Sequence, residues 1–204
     1  MSATFEDMSL DDLYLSERSA RMNLIRHEAN ENFREALIKG RLYRFLSLLV
    51  GKSTRLYDLN KVRENVRVVN SYSLGTMSVP ITQIAGSEGR SHDFDNAFRP
   101  RQSRTRSRWM NVSIQYMLDN NPPVVELVRI KDVYFVRDGH HRISVARVSG
   151  QKYIDAQVNV WEVTGSLPWE TRGVDKKTQL SWLQKLASQV KSLRKQMIPM
   201  FAGK

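Results

Sequence analysis

The sequence predicts a mixed α/β (α+β) fold, a small mixed sheet with helices, flanked by long N-terminal and C-terminal helices. Three observations carry this. Apolar residues recur every three or four positions through the first third of the chain, which is the helical period. From about residue 66, short Val/Ile-rich segments broken by Gly, Pro, Asn and Asp take over, which is the pattern of strands and turns. From Thr178 to Met197 the helical period returns. The 204 residues suit one main domain with helical additions, and 41% hydrophobic residues suffice for a core without staples. The expected organisation is an N-terminal helical region over 1–65, a sheet-bearing domain over 66–163 and a basic helical extension over 164–204.

The elements follow in order. Ser9-x-x-Asp12 has the form of a capping box. Met22, Ile25, Ala29, Phe33 and Ala36, then Leu42, Phe45, Leu46 and Leu49 after Gly40, give one long amphipathic helix or a helical hairpin, its ordinary role being to pack on a neighbour. Val66, Val68 and Val69 are strand-like, and residues 78–84 (SVPITQI) form a second candidate strand with its Pro near an edge. Residues 85–107 lack an apolar period and read as loop. Residues 109–118 (WMNVSIQYML) read as a short helix, stopped by Asn120-Asn121-Pro122-Pro123. Residues 124–128 and 133–136 form a hairpin across a short turn at 129–132. Ile143, Ala146 and Val148 mark a short helix closed by Gly150, and Ile154, Ala156, Val158 and Val160 alternate as a last strand. Trp161 and Trp169 read as packing at a domain edge.

Charge narrows the partners. The net charge is +11 with a pI near 10.1, which favours nucleic acid, nucleotide or an anionic surface. Residues 1–17 hold five acids and no base, residues 99–108 five Arg and no acid, and residues 176–204 seven bases and no acid. The excess therefore sits in one loop and in the terminal regions, where the bland alternative is a solvated face. With no cysteine, disulfides, thiolate metal sites and cysteine nucleophiles are excluded. No apolar run reaches the ~18 residues of a membrane span, and the acidic start has no signal-peptide core, so the expected location is cytoplasmic and no membrane partner is expected.

The segment richest in chemistry is the strand, turn and helix over 133–150. Asp138-Gly139 permits a tight turn with close approach of backbone to ligand. His140, His141 and Arg142 then open a helix, whose unpaired N–H groups and partial positive charge suit a phosphate. Arg142 adds a fixed donor fork. Asp138 caps the helix, orients Arg142 or acts on a substrate hydroxyl. The plain alternatives are an ordinary turn and scaffolding histidines. Adjacent helical histidines point ~100° apart and seldom share a metal.

The loop from Arg99 to Arg108 either clamps phosphates or a nucleic-acid backbone, with Trp109 stacking on a base, or is an exposed loop with Trp109 in the core. His92, Asp93 and Asp95 lack a fourth partner for a metal site, although a nucleotide-bound Mg²⁺ fits the composition. The seam from Leu180 to Met197 is near-heptad and suits a homodimer, but is too short for a coiled coil.

The stretch from Val79 to Val160 resembles the ParB/sulfiredoxin superfamily. The pieces are Val79-Pro80-Ile81, the Pro122-Pro123-Val124 start of a hairpin, Gly139-His140-His141-Arg142 opening a helix, and Ile154-Asp155-Ala156-Gln157-Val158. The resemblance implies a nucleotide-binding domain of that type over 66–163, with phosphates held at Gly139, His140, His141 and Arg142, and with Arg90, Arg101 and Arg108 assisting. ATP, ADP or CTP, with Mg²⁺, are the implied ligands. Sulfiredoxins carry a cysteine between the Gly and the Arg, which this chain lacks. Partition proteins of the ParB type follow the domain with a DNA-reading helix-turn-helix, for which the remaining chain is too short; the basic loop 99–108 and C-terminal helix stand as the alternative nucleic-acid surface. The Asp-Gly-His-x-Arg form is closest to the branch containing ADP-dependent free-serine kinases. There Glu88, in Gly86-Ser87-Glu88-Gly89-Arg90, sits where the branch has its catalytic Glu, so Glu88 and Asp138 are the candidate catalytic residues of a small-molecule phosphotransferase. The branch's His-Glu pair is absent, His92 lying four residues later.

Overall fold

The computed structural model describes residues 10–118 and 122–171. The sheet is mixed and six-stranded: β1 (Tyr57–Asp58), β2 (Val66–Pro80), β3 (Ile84–Ser87), β4 (Val125–Ile130), β5 (Val133–Asp138) and β6 (Tyr153–Gly165). Among the described residues five helices accompany it: α1 (Leu10–Leu49), α2 (Leu59–Asn65), α3 (Arg106–Leu118), α4 (His140–Val148) and α5 (Pro168–Thr171). The fold is therefore mixed α/β, with the long N-terminal helix expected from the sequence. Ser9 of the capping box, Asn120-Asn121 and the Thr178–Met197 helix lie outside the described residues.

The strand order is β1-β3-β5-β4-β6-β2. The parallel pairs are β1 with β3, β3 with β5 and β4 with β6; β4–β5 and β2–β6 are antiparallel. β4 and β5 form the hairpin read from the sequence, Ile130 opposite Val133. Alternation along the strands divides the core. Val125, Leu127, Val136, Ala156 and Val158 face α4 through Ile143 and Ala146. Val128, Ile130 and Phe135 face α2 and the segment before α5 through Leu59, Val62 and Leu167. A third cluster, Phe33, Leu37, Trp109 and Val145, lays α1 over α3 and α4.

Three sequence readings change. α1 is one 40-residue helix, about 60 Å long, so the hairpin alternative at Gly40 does not form. A Cβ at Gly40 would lie 3.3 Å from Arg99 Cβ and 3.4 Å from the Pro100 carbonyl, so the glycine admits a neighbouring loop rather than ending the helix. The two candidate strands at 66–69 and 78–84 are reapportioned: β2 runs without interruption through the polar stretch between them, and Ile81–Gln83 is a 3₁₀ turn before β3. The sheet also begins upstream of residue 66, because β1, within the stretch read as helical, pairs with β3, while α2 packs on the sheet as a helix. Trp161 and Trp169 do pack at an edge: Trp169 contacts Tyr57 at 5.3 Å and Phe135 at 5.7 Å between ring centroids. Among the described residues no helix is long and apolar enough to cross a membrane.

Candidate functional site

An open cleft of ≈ 400 Å³ lies where the loop after β3 meets the starts of α3 and α4, lined by Arg90, Asp93, Arg104, Thr105, Arg108 and His141. Each side chain is placed by a local device. β3 ends at Ser87, which is buried; its Oγ accepts from the Arg90 N–H at 3.2 Å and shares a 2.7 Å hydrogen bond with His140 Nε2. That bond ties the start of the Arg90 loop to the start of α4. Phe94, also buried, lies under both histidines, stacked on His140 at 6.4 Å and edge-on to His141 at 5.2 Å. Trp109 is buried in α3 and donates from Nε1 to Ser144 Oγ of α4 at 2.9 Å, which sets Arg108 beside the α4 start. Base stacking by Trp109 is thereby overturned, since the ring is in the core.

α4 begins at Gly139 with φ of +94°, a conformation that favours glycine. A Cβ there would also lie 2.5 Å from Val125 Cγ1, so space and backbone agree on the residue. No side chain caps the helix. Asp138 instead binds Arg142 at 2.5 Å, the orienting role among its three candidate roles.

The electrostatics are unbalanced. Asp93 is shared by Arg104 at 2.7 Å and Arg90 at 3.5 Å. Arg108 has neither an ion pair nor a side-chain hydrogen bond among the described residues. His141 is 7% exposed, and its Nδ1 is buried without a hydrogen-bond partner. Burial, then the charges of Arg90 and Arg108, push His141 down to about 4. Burial, then Arg90 and His141, push His140 down to about 4 as well. At neutral pH the cleft thus presents three guanidinium groups, one carboxylate and a neutral imidazole.

The predicted set is divided by the structure. Arg90, Arg108 and His141 come together. His140 is turned to Ser87. Arg142 does not line the cleft: its Nη1 donates to the carbonyls of Pro123 at 3.0 Å and Val124 at 2.6 Å, and its Nη2 to Asp138. Glu88 accepts from Arg137 Nε at 3.0 Å and is not part of the cleft wall. Arg101 is held through its backbone, its N–H donating to Asp93 O at 2.9 Å. The Arg99–Arg108 loop is knitted to the body: Arg99 to buried Asp95, Arg104 to Asp93, Arg106 to Asn30 Oδ1. Asp93 and Asp95, considered with His92 as metal ligands, carry arginines instead. Thr105 was not foreseen in the site, and Asp93 was weighed only as a metal ligand; the signal for its pairing was its place three residues after Arg90.

Three arginines and an imidazole with a free ring nitrogen fit the charge and donor needs of phosphate groups. Fold and site together define a mixed α/β protein with a cationic cleft at a helix start. Comparisons of the chain with protein-family models, curated proteins and solved structures gave no match.

Proposed function

We propose that the chain binds a nucleotide, ATP, ADP or CTP with Mg²⁺, and holds its phosphates in the cleft at Arg90, Arg104, Arg108 and His141. The observation that carries the reading is the buried, unpartnered Nδ1 of His141 in a cleft whose Arg108 is unpaired. A buried polar atom without a partner costs ~1–3 kcal/mol, and a turn of the His141 ring toward the cleft would let a bound anion, with its own proton or waters, satisfy Nδ1. The cleft volume falls in the usual range of small-molecule sites, about 300–1,000 Å³. The uncapped start of α4 adds a partial positive charge on the same element. The resemblance to the ParB/sulfiredoxin superfamily supports the reading from a second direction, because its phosphate-binding helix start corresponds to α4. Arg142, the superfamily's phosphate ligand, supports the hairpin here, and the charge comes from the Arg90 and Arg104–Arg108 segments.

The test is thermal denaturation with ATP, ADP, CTP and GTP, each with Mg²⁺, on the wild-type chain and on Arg108→Gln. A nucleotide at 100 times its Kd adds about 2.7 kcal/mol to wild-type stability. Arg108→Gln should weaken affinity by tenfold or more and leave the free protein's melting point unchanged, since Arg108 is exposed and unpaired. Protection by no nucleotide, or equal protection of the variant, overturns the reading.

A further inference from the structure

A second cavity, ≈ 320 Å³, opens between α1, the 97–99 segment and the last turn of α4. We propose that it is a second anion site, taking a small dianionic oxyanion, inorganic phosphate or the head of a phosphate monoester, on Arg147, Arg99 and Lys39. It uses none of the residues of the nucleotide cleft and does not rest on that reading.

Cations outnumber their partners around this cavity. Asp95 is fully buried and accepts three bonds from its own loop: Ala97 N–H at 2.9 Å, Arg99 N–H at 3.0 Å and Arg99 Nε at 2.9 Å. Around this one carboxylate stand Arg99, Arg147 and Arg44. Arg99 lies over the Tyr43 ring at 4.1 Å. Arg147 is half-buried and has no ion pair or side-chain hydrogen bond among the described residues. Arg44 Nη1 is buried without a partner. A Cβ on Gly40 would lie 3.2 Å from that atom and 3.3 Å from Arg99 Cβ, so Arg44 and Arg99 crowd the same turn of α1. Burial holds the pKa values of both Arg44 and Arg147 below the ordinary arginine value; neighbouring arginines add to this, and the single carboxylate of Asp95 only partly opposes it.

Placement at the C-terminus of α4 gives Arg147 a favourable dipole, but that interaction is a weak one. It does not offset the burial of a cation without a partner, which is costly in a low-dielectric setting. A dianion in the cavity does. It meets Arg147, Arg99, Asn32 and Lys39; Glu35 also lines the cavity, as the partner of Lys39 at 2.7 Å, and that exposed pair is a weak one for the dianion to displace. Ala36, Ala97 and Val148 supply apolar wall for the carbon of a monoester.

Calorimetric titration of the full chain with inorganic phosphate, and separately with glycerol 3-phosphate, tests this. Wild-type protein should take an equivalent that Arg147→Gln loses, with a weakening of tenfold or more, and that Arg108→Gln keeps. The glycerol 3-phosphate arm identifies the source: tighter binding than phosphate assigns the site to monoesters, and equal or weaker binding to the free ion. Unliganded Arg147→Gln should melt no lower than wild type, because it removes an unpaired half-buried cation. Lys39→Glu, an exposed change that places a carboxylate at the cavity mouth, should also abolish the equivalent. Unchanged phosphate stoichiometry in both variants overturns the proposal. Loss of the Arg108-dependent equivalent alone bears only on the nucleotide cleft.

Discussion

Arg142 and Arg108 stand near the same helix start and are opposites in their bonding. Arg142 is 18% exposed and makes three bonds that join the first turn of α4 to Asp138 and to the chain leading into β4. Arg108 is exposed, unpaired and set beside a buried histidine with an unused ring nitrogen. The first is saturated and belongs to the scaffold, and the second is available to a ligand. What makes an arginine functional in this molecule is therefore what is left unbonded around it.

The contrast is tested first through stability. Arg142→Ala should destabilise the protein by roughly 2–3 kcal/mol, because two carbonyls lose a charged donor, with the exposed Asp138 contributing little. Nucleotide affinity should stay within twofold of wild type. Denaturant unfolding with calorimetry on the same variant reads both numbers. A stable variant that no longer binds reverses the roles given to the two arginines.

Acidification gives an effect of similar size with a sign that can be worked out. His140 moves from 6.5 in the unfolded chain to about 4 in the fold. The folded state therefore binds fewer protons than the unfolded state between those values, and stability falls as pH drops from 6.5 toward 4. At ~1.4 kcal/mol per unit the loss is roughly 3 kcal/mol for this residue. His141 follows the same course in the free protein. An anion in the cleft opposes it by favouring imidazolium, so sulfate, whose charge is constant over this range, should bind more tightly at pH 5 than at pH 7. Sulfate affinity that is flat with pH would separate His141 from the anion.

The smallest effect belongs to Glu88. Its pair with Arg137 is partly exposed, with side-chain accessibilities of 28% and 36%, so Glu88→Gln should cost no more than ~1 kcal/mol. Nucleotide affinity should not change. A tenfold loss of affinity would draw the Glu88 side chain itself into the cleft and sharpen the case for Glu88 as a reacting group.

Legibility from sequence followed the physics of each element. The β4–β5 hairpin, α4 and the inner half of β6 were readable because burial on defined faces imposes a period on their residues. β2 was not readable as one strand, since residues 67–76 are exposed on both faces and nothing constrains their polarity. The unbroken α1 was obscured by Gly40, whose reason for being small is a loop 60 residues away. The site was half readable. Gly139 announced a helix start, but the sequence does not show that the carbonyls of Pro123 and Val124 would capture Arg142. Nor does the spacing of five arginines show which of them reach Asp93 and Asp95.

The edges of the sheet have a consequence for how this molecule behaves among its own copies. An open strand edge is a template on which another chain can add a strand. At one end that edge is β1, only two residues long. At the other it is β2, fifteen residues long but broken by register shifts at Val68/Asn70 and Ser73/Gly75 and closed by Pro80. Bulges of this kind twist a strand and put its free N–H and C=O groups out of step with a flat incoming partner. Brevity at one end and irregularity at the other hold the sheet at six strands and resist its growth into a fibre.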